Sequence, residues 1–167
     1  ALIASYRAGG KLLVCGNGGS AADAEHIVGE LMKGFLKPRR LSSAMGEKLR
    51  AAFPETGGYL YENLQGALPA ISLVNAMALN TAFANDQAPD LAMAQQVLGL
   101  GQAGDALLGI STSGNSANVL YATQVARVQG LTAIALTGES GGKLKDIADI
   151  TIRVPARETF KIQEYHL

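Results

Sequence analysis

Five short apolar runs punctuate the chain, at residues 11–16, 69–74, 105–110, 131–137 and 149–154. Each is nearly continuous in apolar residues instead of alternating, the pattern of strands covered on both faces. The stretches between them carry helical spacing. Val119, Ala122, Val125 and Ala126 recur about one turn apart within 116–129, and Gly130 stands where such a helix would stop. Segments 75–84 and 91–98 also read as helices. Ser20-Ala21-Ala22-Asp23 reads as a capping box that opens a helix running to about Phe35. Strands alternating with helices predict an α/β fold, a three-layer αβα sandwich around a doubly wound, five-stranded parallel sheet.

Residues 38–68 break this rhythm. Their length far exceeds an ordinary connection of about 2–6 residues. Residues 44–53 and 59–65 could each form a short helix, so the segment reads as a helical insertion within a single domain of residues 1–167. Tyr59 and Tyr61 are expected to pack it onto the body. Lys37-Pro38-Arg39-Arg40 reads as a solvated turn.

Composition narrows the function. The 167 residues are 48% hydrophobic with 20 glycines and few aromatics, which suits α/β layers better than an all-β sandwich. Lys plus Arg and Asp plus Glu both number 14, so no basic excess favours nucleic acid or an anionic membrane. No apolar run is long enough to cross a bilayer, and no signal-peptide pattern is seen. Cys15 is the only cysteine, so no internal disulfide can form, consistent with a cytoplasmic setting. The chain starts at Ala1 and stops at Leu167 within a helix-like stretch, and both ends are expected to be trimmed.

The chemistry gathers in two turns. Asn17-Gly18-Gly19-Ser20 follows the first apolar run and precedes a helix. Glycine leaves backbone N–H groups free to converge on a phosphate, and a helix N-terminus favours the anion. A plain βα turn would look similar. The run also meets a loose Gly-x-Gly-x-x-Ala pattern, but no acidic residue ends the second strand, where Val74-Asn75 stands. No Walker loop is present either, so no nucleotide cofactor is expected. Ser111-Thr112-Ser113-Gly114-Asn115-Ser116 places four hydroxyls in six residues after the third run. A Ser116 helix cap would need only one of them. Turns after strands one and three would share the carboxyl edge of the sheet, where ligands of open α/β sheets bind.

His26 and Glu30 are four residues apart and share a helix face. Such pairs are commonly solvated neighbours, but this helix begins at the glycine turn. Glu30 could take a proton from a carbon beside a carbonyl, or both could ligate a metal. Cys15, at a strand end, reads as a small buried apolar group.

Residues 11–35 and 110–117, Thr137-Gly138 through Gly142-Lys143, and Ile162-Gln163-Glu164 resemble the sugar isomerase (SIS) domain family, with the His26/Glu30 spacing most similar to its phosphoheptose isomerase branch. The resemblance implies an aldose–ketose isomerase converting sedoheptulose 7-phosphate to a mannoheptose 7-phosphate. It implies that Ser111, Thr112, Ser113 and Ser116 hold the phosphate, and that Asn17, Gly18, Gly19, Asn85 and Asp86 line the sugar. It makes Glu30 the catalytic base. It also implies that His26, Glu30 and Gln163 ligate a zinc ion in some members; Gln163 has no signal of its own. It further implies a homotetramer with sites shared between copies, N-terminal helices largely absent before Gly9-Gly10, and a further histidine acting as acid beyond Leu167. His166 matches a different family position. An alternative is a non-catalytic SIS module that binds a sugar phosphate or the replication initiator protein. The acidic residue at position 30 favours the enzyme.

Overall fold

In the computed structural model, which describes all of residues 1–167, the five apolar runs are five strands. In chain order the elements are α1 (Leu2–Arg7), β1 (Leu12–Cys15), α2 (Gly19–Met32), α3 (Ser43–Ala52), α4 (Gly57–Asn63), β2 (Ala70–Ser72) and α5 (Met77–Asp86), then a 3₁₀ turn at Pro89–Leu91. They continue with α6 (Ala92–Leu100), β3 (Ala106–Ser111), α7 (Ala117–Val128), β4 (Thr132–Thr137), α8 (Leu144–Ile147), β5 (Ile150–Arg153) and α9 (Thr159–His166). The strands form one parallel sheet in the order β2-β1-β3-β4-β5, with helices on both sides. The fold is therefore the expected α/β sandwich.

The apolar runs are continuous because the central strands have no wet face. All four residues of β1 are buried, and β3 and β4 are buried along most of their length. Leu13, Cys15, Leu107 and Ala135 meet Val119, Ala122 and Ala126 of α7 in the core. Those α7 residues are the helically spaced set in the sequence. Gly130 then leaves the helix at φ +80°, a conformation open to glycine at little cost.

Lys11 and Asp105, at the entrances to β1 and β3, lock these neighbours together. Asp105 is 3% exposed and accepts from Lys11 Nζ at 2.5 Å, Lys11 N at 2.9 Å and Gln102 N at 2.9 Å. Burial alone would raise its carboxyl, but these donors outweigh it and hold the group below the usual carboxylate range.

The chain divides into two compact units, one of residues 1–28 with 69–167 and one of residues 29–68. The second unit holds α3 and α4. Within it Gly46 packs directly on the Tyr61 ring, and Arg50 lies 4.5 Å from that ring's centre. Tyr59 is exposed. The Lys37–Arg40 stretch is more than the expected solvated turn. Arg39 Nε donates to Gly66 O at 2.7 Å, and its Nη2 donates to Leu31 O at 2.5 Å. A guanidinium here satisfies carbonyls at the end of α2 that the helix leaves open.

The expected capping box does not form. Helix α2 starts at Gly19, and the Gly18 carbonyl accepts from Ala21 N and Ala22 N. Ser20 is thus inside the first turn, and Asp23 Oδ2 is buried without a hydrogen-bond partner.

Candidate active site

The order β2-β1-β3-β4-β5 reverses direction between β1 and β3. Their carboxyl ends therefore flank the switch point of the sheet, where a crevice is a consequence of topology. A crevice of about 340 Å³ lies there. The glycine turn contributes Asn17, Gly18, Gly19 and Ser20; the end of β3 and the hydroxyl loop contribute Ile110, Ser111, Thr112 and Ser116; α9 contributes Thr159 and Gln163. No charged side chain lines it. An anion there would meet hydroxyls, amides and the N-terminal ends of α2 and α7, of 14 and 12 residues.

Two close approaches shape this site. A Cβ at Gly19 would collide with the Gln163 side-chain amide, so a larger residue there would force that amide to swing aside from the glycine turn. Gly114 has φ +67°, and a Cβ there would come within 2.1 Å of Gly141 O. The hydroxyl loop is thus pressed backbone to backbone onto the turn after β4. Gly138 N donates to Thr112 O at 3.0 Å, Lys143 N to Asn115 Oδ1 at 3.0 Å, and Leu144 N to Gly114 O at 3.0 Å.

Ser116 occupies the N-cap position of α7 but makes no side-chain cap. Its Oγ lies 2.9 Å from Ser111 Oγ instead. Thr112 faces the crevice, while Ser113 is exposed and its Oγ accepts from Asn115 N at 3.2 Å. Thr112 and Ser113 also border a hollow of about 500 Å³ on the far side of the loop, with Glu139 and Arg157. That hollow is larger, but neither the glycine turn nor Gln163 reaches it, and its two charged side chains pair with each other.

Of the residues expected at the site, Asn17, Gly18, Gly19, Ser111, Thr112, Ser116 and Gln163 meet in the crevice, whereas Ser113 is exposed and lines the neighbouring hollow instead. Asn85 and Asp86 end α5, exposed and hydrogen-bonded to each other at 2.6 Å, outside the crevice lining. His26 lies on α2 with an exposed side chain. Glu30 follows one turn later, exposed, in the second compact unit. Ser20, read as part of the glycine turn and as a helix cap, lines the crevice, and Thr159 joins it without having been singled out. Thr159 stands four residues before Gln163 on α9, a spacing that could have disclosed it.

Zinc can be tested against the side chains present. No group of three His, Cys, Asp or Glu side chains converges to hold a metal ion. His26 and Glu30 supply two of the three or four protein ligands a zinc site uses. The residues present in one copy do not by themselves fit the ion.

Two polar side chains, one on α2 and one on α9, are buried with unpartnered atoms, Asp23 at Oδ2 and His166 at both ring nitrogens. Asp23 is 6% exposed and His166 is 8% exposed. Burial raises the Asp23 carboxyl, opposed by the nearby His166 and His26. Burial also lowers the His166 imidazole, opposed by the Thr137 backbone and Asp23.

The SIS domain family profile matches residues 42–138, more than half of the chain. A protein built as a glycine turn and a hydroxyl loop at the switch point of a five-stranded parallel sheet is thereby placed among SIS domain proteins. The phosphoheptose isomerase of Rhodospirillum rubrum is 41% identical over 166 residues, covering 99% of this chain and 74% of that protein. That of Thiobacillus denitrificans is 43% identical over 169 residues, covering 99% and 73%. Among solved structures, the phosphoheptose isomerase of Francisella tularensis superposes with a TM-score of 0.79 at 35% identity, and that of Neisseria gonorrhoeae with 0.76 at 37%. Both cover 99% of this chain and 74% of the other. The chain belongs to the phosphoheptose isomerase family of SIS domain proteins.

Proposed function

We propose that this protein is an aldose–ketose isomerase that converts sedoheptulose 7-phosphate to D-glycero-D-manno-heptose 7-phosphate. The observation that carries the reading is the crevice itself, where the glycine turn, the hydroxyl loop and Gln163 converge with no charged lining. The loop hydroxyls and the N-terminal end of α7 grip the phosphate. Binding energy at that remote group fixes the geometry of the reacting carbons. Asn17 and Gln163 offer amides to the sugar hydroxyls.

The reaction needs one base and no external reductant. Glu30 removes a proton from the ketose C1, and the C2 carbonyl oxygen gains a proton, giving the enediol. The C1 hydroxyl then gives up its proton as the aldehyde forms, and Glu30 returns a proton to C2. Hydrogen-bond donors at the crevice rim stabilise the developing oxyanion. The assembly we propose is a homotetramer with sites shared between copies, so the carboxylate of one copy can serve a neighbour.

The test is a panel of ketose phosphates incubated with the protein, with and without zinc chelation, read by NMR of the products. Conversion of the seven-carbon ketose phosphate is expected. Glu30→Gln should abolish turnover and leave sugar-phosphate binding measurable. Absence of turnover on every sugar, or full turnover in the Gln variant, would refute the reaction or the base respectively.

A further inference from the structure

Asn17 and Asn118 lie 101 residues apart and exchange two side-chain hydrogen bonds. Asn17 Nδ2 donates to Asn118 Oδ1 at 2.9 Å, and Asn118 Nδ2 donates to Asn17 Oδ1 at 2.8 Å. Asn17 belongs to the glycine turn after β1. Asn118 lies in the first turn of α7, two residues beyond the hydroxyl loop. Within the chain this pair bridges the two turns across the switch point of the sheet.

We propose that Asn118 is a positioning residue of the sugar-phosphate site: it holds the Asn17 amide in one orientation and sets the gap between the two turns. The proposal rests on the sugar-phosphate reading above. Its logic is donor and acceptor arithmetic. An amide can flip and exchange its oxygen for its nitrogen. Asn118 Oδ1 also accepts from Val119 N at 3.0 Å, so a flip of Asn118 would set two donors against each other. Asn17 is paired to that fixed amide on both its atoms, so its own orientation follows. Asn17 then keeps one N–H and one lone pair, pointing its remaining capacity at the crevice it lines. Asn118 is not in the lining and acts through Asn17. The pair is also neutral, so it ties the turns without placing charge beside an anion.

The experiment compares Asn118→Ala, Asn17→Ala and the double variant in the whole protein. Binding of sedoheptulose 7-phosphate and of inorganic phosphate is measured by calorimetry, and Asn17 side-chain NH₂ exchange by NMR. Asn118→Ala should weaken the sugar phosphate roughly three- to tenfold, the range for one or two neutral hydrogen bonds. Inorganic phosphate, held by the hydroxyl loop alone, should change by less than about twofold. The double variant should bind no worse than Asn17→Ala, because the second residue acts only through the first. Multiplying losses in the double variant would overturn the proposal. Equal weakening of phosphate and sugar phosphate would too, since it reports damage to the loop. If the wild type binds no sugar phosphate, the functional reading fails, and NH₂ exchange still decides the tie: slow in the wild type and fast in Asn118→Ala supports it, equal rates refute it.

Discussion

Ser111 Oγ and Ser116 Oγ are hydrogen-bonded at 2.9 Å across the base of the hydroxyl loop. The contact converts a helix-cap serine into half of a pair that faces the crevice. A phosphate oxygen entering the loop can take the place of this internal bond and accept from both hydroxyls.

Ser111→Ala and Ser116→Ala should therefore each weaken inorganic phosphate and sugar phosphate alike. A hydrogen bond to a charged group contributes about 1.5–3 kcal/mol, so each loss should be roughly 10- to 100-fold in Kd. Because Ser116 makes no cap, the melting temperature of Ser116→Ala should stay close to that of the wild type. Calorimetric titration with both ligands, alongside thermal melts, separates these outcomes.

Asp105 sits at the amino ends of β1 and β3, away from the crevice, and its effect should be on stability alone. Its carboxyl lies below its ordinary value near 3.8 in the folded protein. A depressed acid adds stability that is fully present above the unfolded value and is lost as pH falls through the folded one. Urea unfolding of the wild type should weaken on acidification below 3.8, and Asp105→Asn should flatten that slope. At neutral pH the variant should lose about 2–3 kcal/mol, having left Lys11 without its partner.

His166 titrates with the same sense for a different cause. Burial holds its imidazole below the ordinary 6.5, so the unfolded chain takes up protons first as pH falls past that point. Stability present above 6.5 should decline on the acid side. His166→Phe keeps the ring and removes two unpartnered buried nitrogens. Thermal melts across this range should show a shallower decline in the variant, with about 1 kcal/mol gained at neutral pH.

Cys15 lies at the end of β1, fully buried, and burial pushes its thiol up to about 12. A thiol without access or thiolate character does not react. An aromatic disulfide reagent should label none of it in the native protein and one equivalent in guanidinium. Rapid labelling of the folded protein would contradict the packing of β1.

The three central strands were legible because burial on both faces leaves a continuous apolar signature, whereas β5 shows an apolar run although it is largely exposed, and α7 was legible because its buried face repeats at helical spacing. The two turns were legible because glycines and hydroxyls cluster there at strand ends, more than a plain strand-to-helix turn needs. Other features depend on partners far along the chain. Arg39 looks like part of a basic turn until the fold brings Gly66 and the end of α2 to it. Asn118 looks like any polar residue in a helix's first turn. Asp23 mimics a capping acid, but the Gly18 carbonyl starts the helix two residues too early for that role. Helix α8, of four residues, is too short to carry a period.

The contact of Gly114 on the turn after β4 has a consequence for how such proteins diversify. The contour of the cradle at the hydroxyl loop is set by the peptide-on-peptide contact that Gly114 allows, and its hydroxyls come from Ser111 and Ser116. Side chains elsewhere around the rim can drift, and the sugar accepted can drift with them, while the cradle persists unaltered. A lineage holding this scaffold could explore new phosphorylated ligands from a starting grip it never has to reinvent.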